Sequence, residues 1–120
     1  MGHADRPTLI VMFASWCPHC RAELAEIATL RATHPELRVI GVDYWAQEGY
    51  DHRGSSTALR AFVTASVPWL EVVEADDALY AALGSPPHLP TTFVYGATGA
   101  LVTRLDGEQS RRSLARALGY

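Results

Sequence analysis

The sequence predicts an α/β fold in which a mixed central β-sheet is flanked by helices. Residues 9–13 form an unbroken run of strand-forming apolar residues, as expected of a strand covered on both faces. A helical pattern and a second apolar strand follow directly, which describes a parallel β-α-β start. Towards the end, two strand patterns surround Gly96-Ala97-Thr98-Gly99, the signature of an antiparallel hairpin.

In chain order, residues 18–33 read as the first helix. Cys20, Leu24, Ile27 and Ala28 recur at helical spacing, Pro18 suits the first turn, and His34-Pro35 stops the pattern. Residues 37–42 are the next strand. Residues 44–56 mix Gly, Asp, Ser and aromatic side chains without clean periodicity and read as a surface loop. Leu59, Phe62 and Val63 mark a helix starting near Ser56, and residues 71–74 suggest a short edge strand. Asp76 or Asp77 caps a brief helix through Leu79, Tyr80 and Leu83, which Gly84 ends. Residues 91–95 and 100–105 are the hairpin strands, and a last helix spans about 108–118.

No repeat or domain boundary interrupts this order, and 120 residues suit a single domain. Residues 1–7, with Met1-Gly2-His3 at their head, are expected to be a flexible tail or an expression remnant, leaving a compact N-terminus. With 48 % hydrophobic residues the chain can build a core without metal or disulfide staples. The net charge is −3 and the positive charge is all arginine, scattered along the chain, so no basic patch points to nucleic acid or an anionic membrane. No apolar stretch is long enough to span a bilayer. The apolar residues 8–14 lack the basic flank and cleavage site of a signal peptide. The expectation is a monomer, either cytosolic or separated from a targeting segment; the expression remnant favours the second, extracytoplasmic setting.

The chain has two cysteines, Cys17 and Cys20, two residues apart. A structural bridge across so small a loop would remove little entropy from the unfolded chain, so the pair is better explained by chemistry. The thiolate is the attacking form of cysteine. A sulfur at a strand-to-helix turn lies beside unpaired N–H groups and the positive end of the helix dipole, which favour negative charge. Cys17 stands at that turn. Cys20 is one turn further along the same side, within reach to resolve a mixed disulfide. His19 would add positive charge near Cys17, stabilise the reduced form and so raise the reduction potential. A zinc site would need two more ligands, and no second cysteine pair exists.

Trp16-Cys17-Pro18-His19-Cys20 resembles the active site of the thioredoxin superfamily. Cys20-Arg21-Ala22-Glu23-Leu24 and the distant Leu89-Pro90-Thr91-Thr92-Phe93 resemble more specifically the TlpA/ResA-like thiol–disulfide oxidoreductases. The resemblance runs from about residue 9 to the C-terminus, with a divergent stretch at 44–56. It implies a thioredoxin-like fold and dithiol–disulfide exchange with protein substrates and a redox partner, without a cofactor. Relatives are mostly extracytoplasmic and often reduce partner disulfides, including those of apocytochrome c. Carried over by position, Cys17 is the nucleophile, Cys20 the resolving thiol, Glu23 the acidic residue near them and Pro90 a cis-proline facing them. Trp16, Pro18, His19, Leu89 and Pro90 make up the motif and substrate-binding set. The sequence departs from the pattern in three places. Pro18-His19 is typical of oxidising DsbA-like proteins, Val11 stands where thioredoxins carry a buried acid, and little chain precedes the first strand.

Other readings accompany these. Taken alone, Glu23 reads as a solvated first-turn residue favoured by the helix dipole, and the resemblance sets the functional reading beside it. Copper-binding relatives pair two cysteines with a histidine, which makes Cys17, Cys20 and His88 an alternative soft-metal set. Trp45 and Trp69 read as core or loop anchors. Tyr44, Trp45 and Tyr50 are either loop packing or contacts for a partner.

Overall fold

A computed structural model of the protein describes residues 6–120. Five strands form one sheet in the order β3-β2-β1-β4-β5. They are β1 (Thr8–Met12), β2 (Arg38–Tyr44), β3 (Glu71–Ala75), β4 (Thr91–Tyr95) and β5 (Leu101–Asp106). The β1–β2 and β2–β3 pairs are parallel, whereas β4 runs antiparallel to both β1 and β5. The helices are α1 (Pro18–Thr33), α2 (Trp45–Glu48), α3 (Ser56–Ser66), α4 (Asp77–Ala82) and α5 (Arg111–Leu118), with a 3-10 turn at Tyr50–His52.

The central strand explains the layering. All five residues of β1 are buried, and the pleat sends alternate side chains to opposite faces. Leu9, Val11 and Phe13 meet Leu24 and Ile27 of α1, Leu59 and Phe62 of α3 and Leu114 of α5. Ile10 and Met12 meet Val42, Phe93 and the inner side of α4. Burial of each such side chain contributes roughly 1.5–3 kcal/mol, which is why β1 is the most strongly determined element. Gly41 allows the close packing here, since a Cβ on it would come 2.7 Å from both Phe13 and Leu70.

The expected fold class and element order agree with this architecture, and three details differ. The stretch 44–56 is not a plain loop. Strand β2 runs on to Tyr44, and α2 and the 3-10 turn follow at once. This ordering comes from side chains: Tyr44 stacks on Tyr80, and the Tyr44 hydroxyl and Trp45 indole both donate to Asp77 at 2.7 Å. Helix α5 begins at Arg111 rather than 108, because Ser110 caps it and the Gln109 N–H is spent on Glu23. Of the expected tail, residues 1–5 lie outside the described residues. Arg6 and Pro7 are instead tied to the fold: Arg6 Nε donates to the Glu36 carbonyl, and Arg38 N–H donates to the Pro7 carbonyl, both at 3.0 Å. Among the described residues, no helix is long and apolar enough to cross a membrane.

Candidate active site

The chain leaves β1 at Met12, turns through Ala14–Trp16 and enters α1 with Cys17 as its N-cap and Pro18 in the first turn. Proline fits there because its missing N–H would have had no helical partner. The Cys17 Sγ accepts a hydrogen bond from the Cys20 N–H at 3.2 Å, so the sulfur takes the place that a capping oxygen usually fills. The Cys17 N–H itself is held by the Ala14 carbonyl at 3.1 Å. Both cysteines are free thiols; Cys17 is 3 % exposed and Cys20 fully buried. Burial pushes the Cys20 thiol well above the ordinary cysteine range, reinforced by its hydrogen bond to Cys17 and by the charges of Cys17 and Glu23.

Cys17 lies in an open cleft of about 840 Å³. Trp16, Pro18 and His19 line it on the motif side, Pro87, His88 and Leu89 approach from the segment before β4, and Tyr50 and Arg53 add a further wall. The Leu89–Pro90 peptide is cis. Pro90 is buried, and its carbonyl accepts from the Gly107 N–H at 2.8 Å, whereas Pro87, His88 and Leu89 line the cleft.

Glu23 is fully buried, which replaces the solvated reading. Its carboxylate accepts from the Thr92 hydroxyl at 2.5 Å and from the Gln109 N–H at 2.9 Å. Burial raises its pKa to about 7; the two hydrogen bonds oppose that rise and the charge of Glu108 adds to it. Two parts of the carried-over pattern, Glu23 after Cys20 and Thr92 after Pro90, are thus in direct contact.

His19 departs from expectation. Its Nδ1 lies 2.9 Å from Glu108 Oε1 on a side chain 71 % exposed, so the imidazole is engaged at the cleft rim instead of on the Cys17 sulfur. The alternative metal set is not assembled: among the described residues no group of three or more His, Cys, Asp and Glu side chains could hold a metal ion. His88 borders the cleft with Cys17, but the three side chains do not converge. Trp69 packs against the core under the Arg31 guanidinium. Trp45 is 62 % exposed and anchors its loop through Asp77.

Sequence reasoning missed Ser15, Asp43 and Glu48, all buried. Glu48 accepts from the Ser15 N–H at 2.8 Å and from the Ser15 hydroxyl at 2.6 Å. The Trp16 indole donates to the carbonyls of Gln47 and Glu48 at 3.0 and 2.9 Å. One signal was available: Trp45-Ala46-Gln47-Glu48 contains only residues compatible with a single helical turn directly after a strand.

No protein-family model and no curated protein matches the chain. Solved structures do match. A thioredoxin-family thiol:disulfide interchange protein of Chlorobium tepidum is 19 % identical at a TM-score of 0.80, covering 97 % of this chain and 79 % of that one. A secreted disulfide oxidoreductase of Mycobacterium tuberculosis, described as homologous to DsbE of E. coli, is 20 % identical at a TM-score of 0.76, covering 98 % and 82 %. DsbF of M. tuberculosis is 23 % identical at a TM-score of 0.75, covering 94 % and 78 %. At these identities the likeness establishes the fold, which is thioredoxin-like.

Proposed function

We propose that this thioredoxin-fold protein is a thiol–disulfide oxidoreductase that exchanges its Cys17–Cys20 dithiol with disulfides of protein clients. The observation that carries the reading is the position of Cys17: a sulfur capping α1, in an open cleft, with Cys20 buried one turn further in. The solved structures named above, described as disulfide oxidoreductases and interchange proteins, support it.

In the reducing direction the Cys17 thiolate attacks one sulfur of the client disulfide. The client S–S bond breaks, a mixed disulfide forms and the first client thiolate leaves. Cys20 then loses its proton and attacks the Cys17 sulfur. The second client thiolate leaves, the Cys17–Cys20 bond closes, and two electrons have passed to the client. Oxidation of a client dithiol is the same sequence reversed.

The second step is the difficult one, because burial holds the proton on Cys20. Glu23, buried with a pKa of about 7 and close enough for its charge to act on Cys20, is our choice for the group that takes that proton and later returns it. The cleft, apolar at Trp16 and Leu89, suits an extended client segment.

The test is turnover of insulin disulfides with dithiothreitol as reductant. Wild-type protein should accelerate it, and Cys17→Ser should return it to the background rate. Equal rates with and without wild-type protein would reject the assignment.

A further inference from the structure

A second buried carboxylate holds the turn ahead of Cys17, and no step of the exchange uses it. Glu48 is 3 % exposed, and both of its oxygens accept from Ser15, one from the N–H and one from the hydroxyl. The two indole bonds from Trp16 to the carbonyls of Gln47 and Glu48 add to these. Arg21 Nε adds a further bond to the turn by donating to the Ser15 carbonyl at 2.7 Å. The segment immediately before Cys17 is therefore fastened to α2, more than thirty residues away in sequence.

On its other side Glu48 lines a small cavity of about 200 Å³ together with Asp43 and Glu74. Asp43 of β2, 2 % exposed, lies beside the Glu48 carboxyl. Burial first, then the hydrogen bond and charge of Glu48, then the charge of Glu74 on β3, push the Asp43 pKa up to about 9. Gly54 covers the site so closely that a Cβ there would come 1.8 Å from Glu48 Oε2.

We propose that Glu48 is a positioning residue for Cys17: its carboxylate fixes the Ser15–Trp16 turn, so that the Cys17 sulfur and the Trp16 wall of the cleft are presented together to a client disulfide. The proposal rests on the exchange function set out above. Nothing in a simple stabilising role would confine the effect of Glu48 to this turn and this cysteine.

The experiment compares Glu48→Gln with wild type in two assays. In insulin reduction, KM should rise about tenfold with kcat nearly unchanged, because the cleft loses its prearranged geometry while the sulfur chemistry stays. In alkylation of the reduced protein by iodoacetamide, Cys17 should react several times faster as its turn loosens, while Cys20 keeps its wild-type rate. Equal acceleration at both cysteines would mean general loosening and would overturn the proposal, as would unchanged values in both assays. Should Glu48→Gln fail to fold, Ser15→Ala, which deletes the hydroxyl bond, and Gly54→Ala, which displaces the carboxylate, must give the same pattern at smaller size; wild-type behaviour in both overturns it. If wild-type protein reduces no insulin, the exchange function falls, and the Cys17-to-Cys20 alkylation ratio, which needs no client, still decides the role of Glu48.

Discussion

Glu23 and Glu48 are two buried carboxylates with the same inventory of bonds, each accepting from one hydroxyl and one backbone N–H. Glu23 receives Thr92 and Gln109 on the Cys20 side of the site, and Glu48 receives Ser15 on the Trp16 side. Their neighbours separate them. Burial acts on the titration of Glu23 itself and, with the charge of Glu108 adding to the rise, brings its pKa to about 7. Glu48 has Asp43 beside it, and burial pushes the Asp43 pKa up to about 9. The hydrogen-bond count alone therefore does not distinguish the two acids; their surroundings do.

Three substitutions sharpen this contrast, in order of expected effect. Glu23→Gln should slow exchange by up to about a hundredfold, by removing the proton acceptor for Cys20. It should also remove an inflection near pH 7 from the rate profile, with thiol alkylation and insulin reduction as the assays. The same variant has a stability signature. A carboxyl whose folded pKa is raised from 4.5 to about 7 binds more protons folded than unfolded between those values. Wild-type stability from this group is therefore present below about pH 4.5 and lost as pH rises through about 7, by up to roughly 3 kcal/mol. Urea unfolding of Glu23→Gln across that range should lack this slope. An unchanged slope would mean that Glu23 is not the titrating group.

Thr92→Val should act in the same direction but less. It deletes the hydroxyl bond that opposes the rise, so the inflection near pH 7 should move to higher pH, with about 1 kcal/mol of stability lost. A shift to lower pH would contradict the assigned cause. His19→Ala should have the smallest effect. Its imidazole is engaged by Glu108 at the cleft rim, so the reduction potential against glutathione should move by less than about 10 mV, well below the 30 mV that corresponds to about 1.4 kcal/mol. A larger shift would restore the sulfur-directed role that the motif alone suggests.

The difference between the two acids also marks where the sequence was readable. The order of strands and helices, the bounds of α1 and the hairpin came from local signals: apolar runs and helical spacing, Pro18 and His34-Pro35 at the ends of α1, and the Gly96–Gly99 turn. Glu23 was found through the resemblance, which places an acidic residue three positions after Cys20; taken alone it reads as a solvated first-turn residue. Its contact with Thr92 joins two segments that the resemblance had already singled out. Glu48 was missed because α2 is a single turn, too short to show a period, and its purpose lies in Ser15, thirty-three positions away. The outward pairing of His19 was hidden for a similar reason. Glu108 comes close only through the packing of α5 on α1, and no short-range pattern encodes that.

The division of labour between the two cysteines is tested most directly by trapping. Cys20→Ser protein, reduced and then mixed with an insulin disulfide, should accumulate a mixed disulfide that peptide mass mapping places on Cys17, stable until a thiol is added. The matching Cys17→Ser protein should form almost none, because Cys20 is fully buried and holds its proton. An adduct on Cys20 at a comparable rate, or no adduct on Cys17, would contradict the assignment of Cys17 as the attacking sulfur.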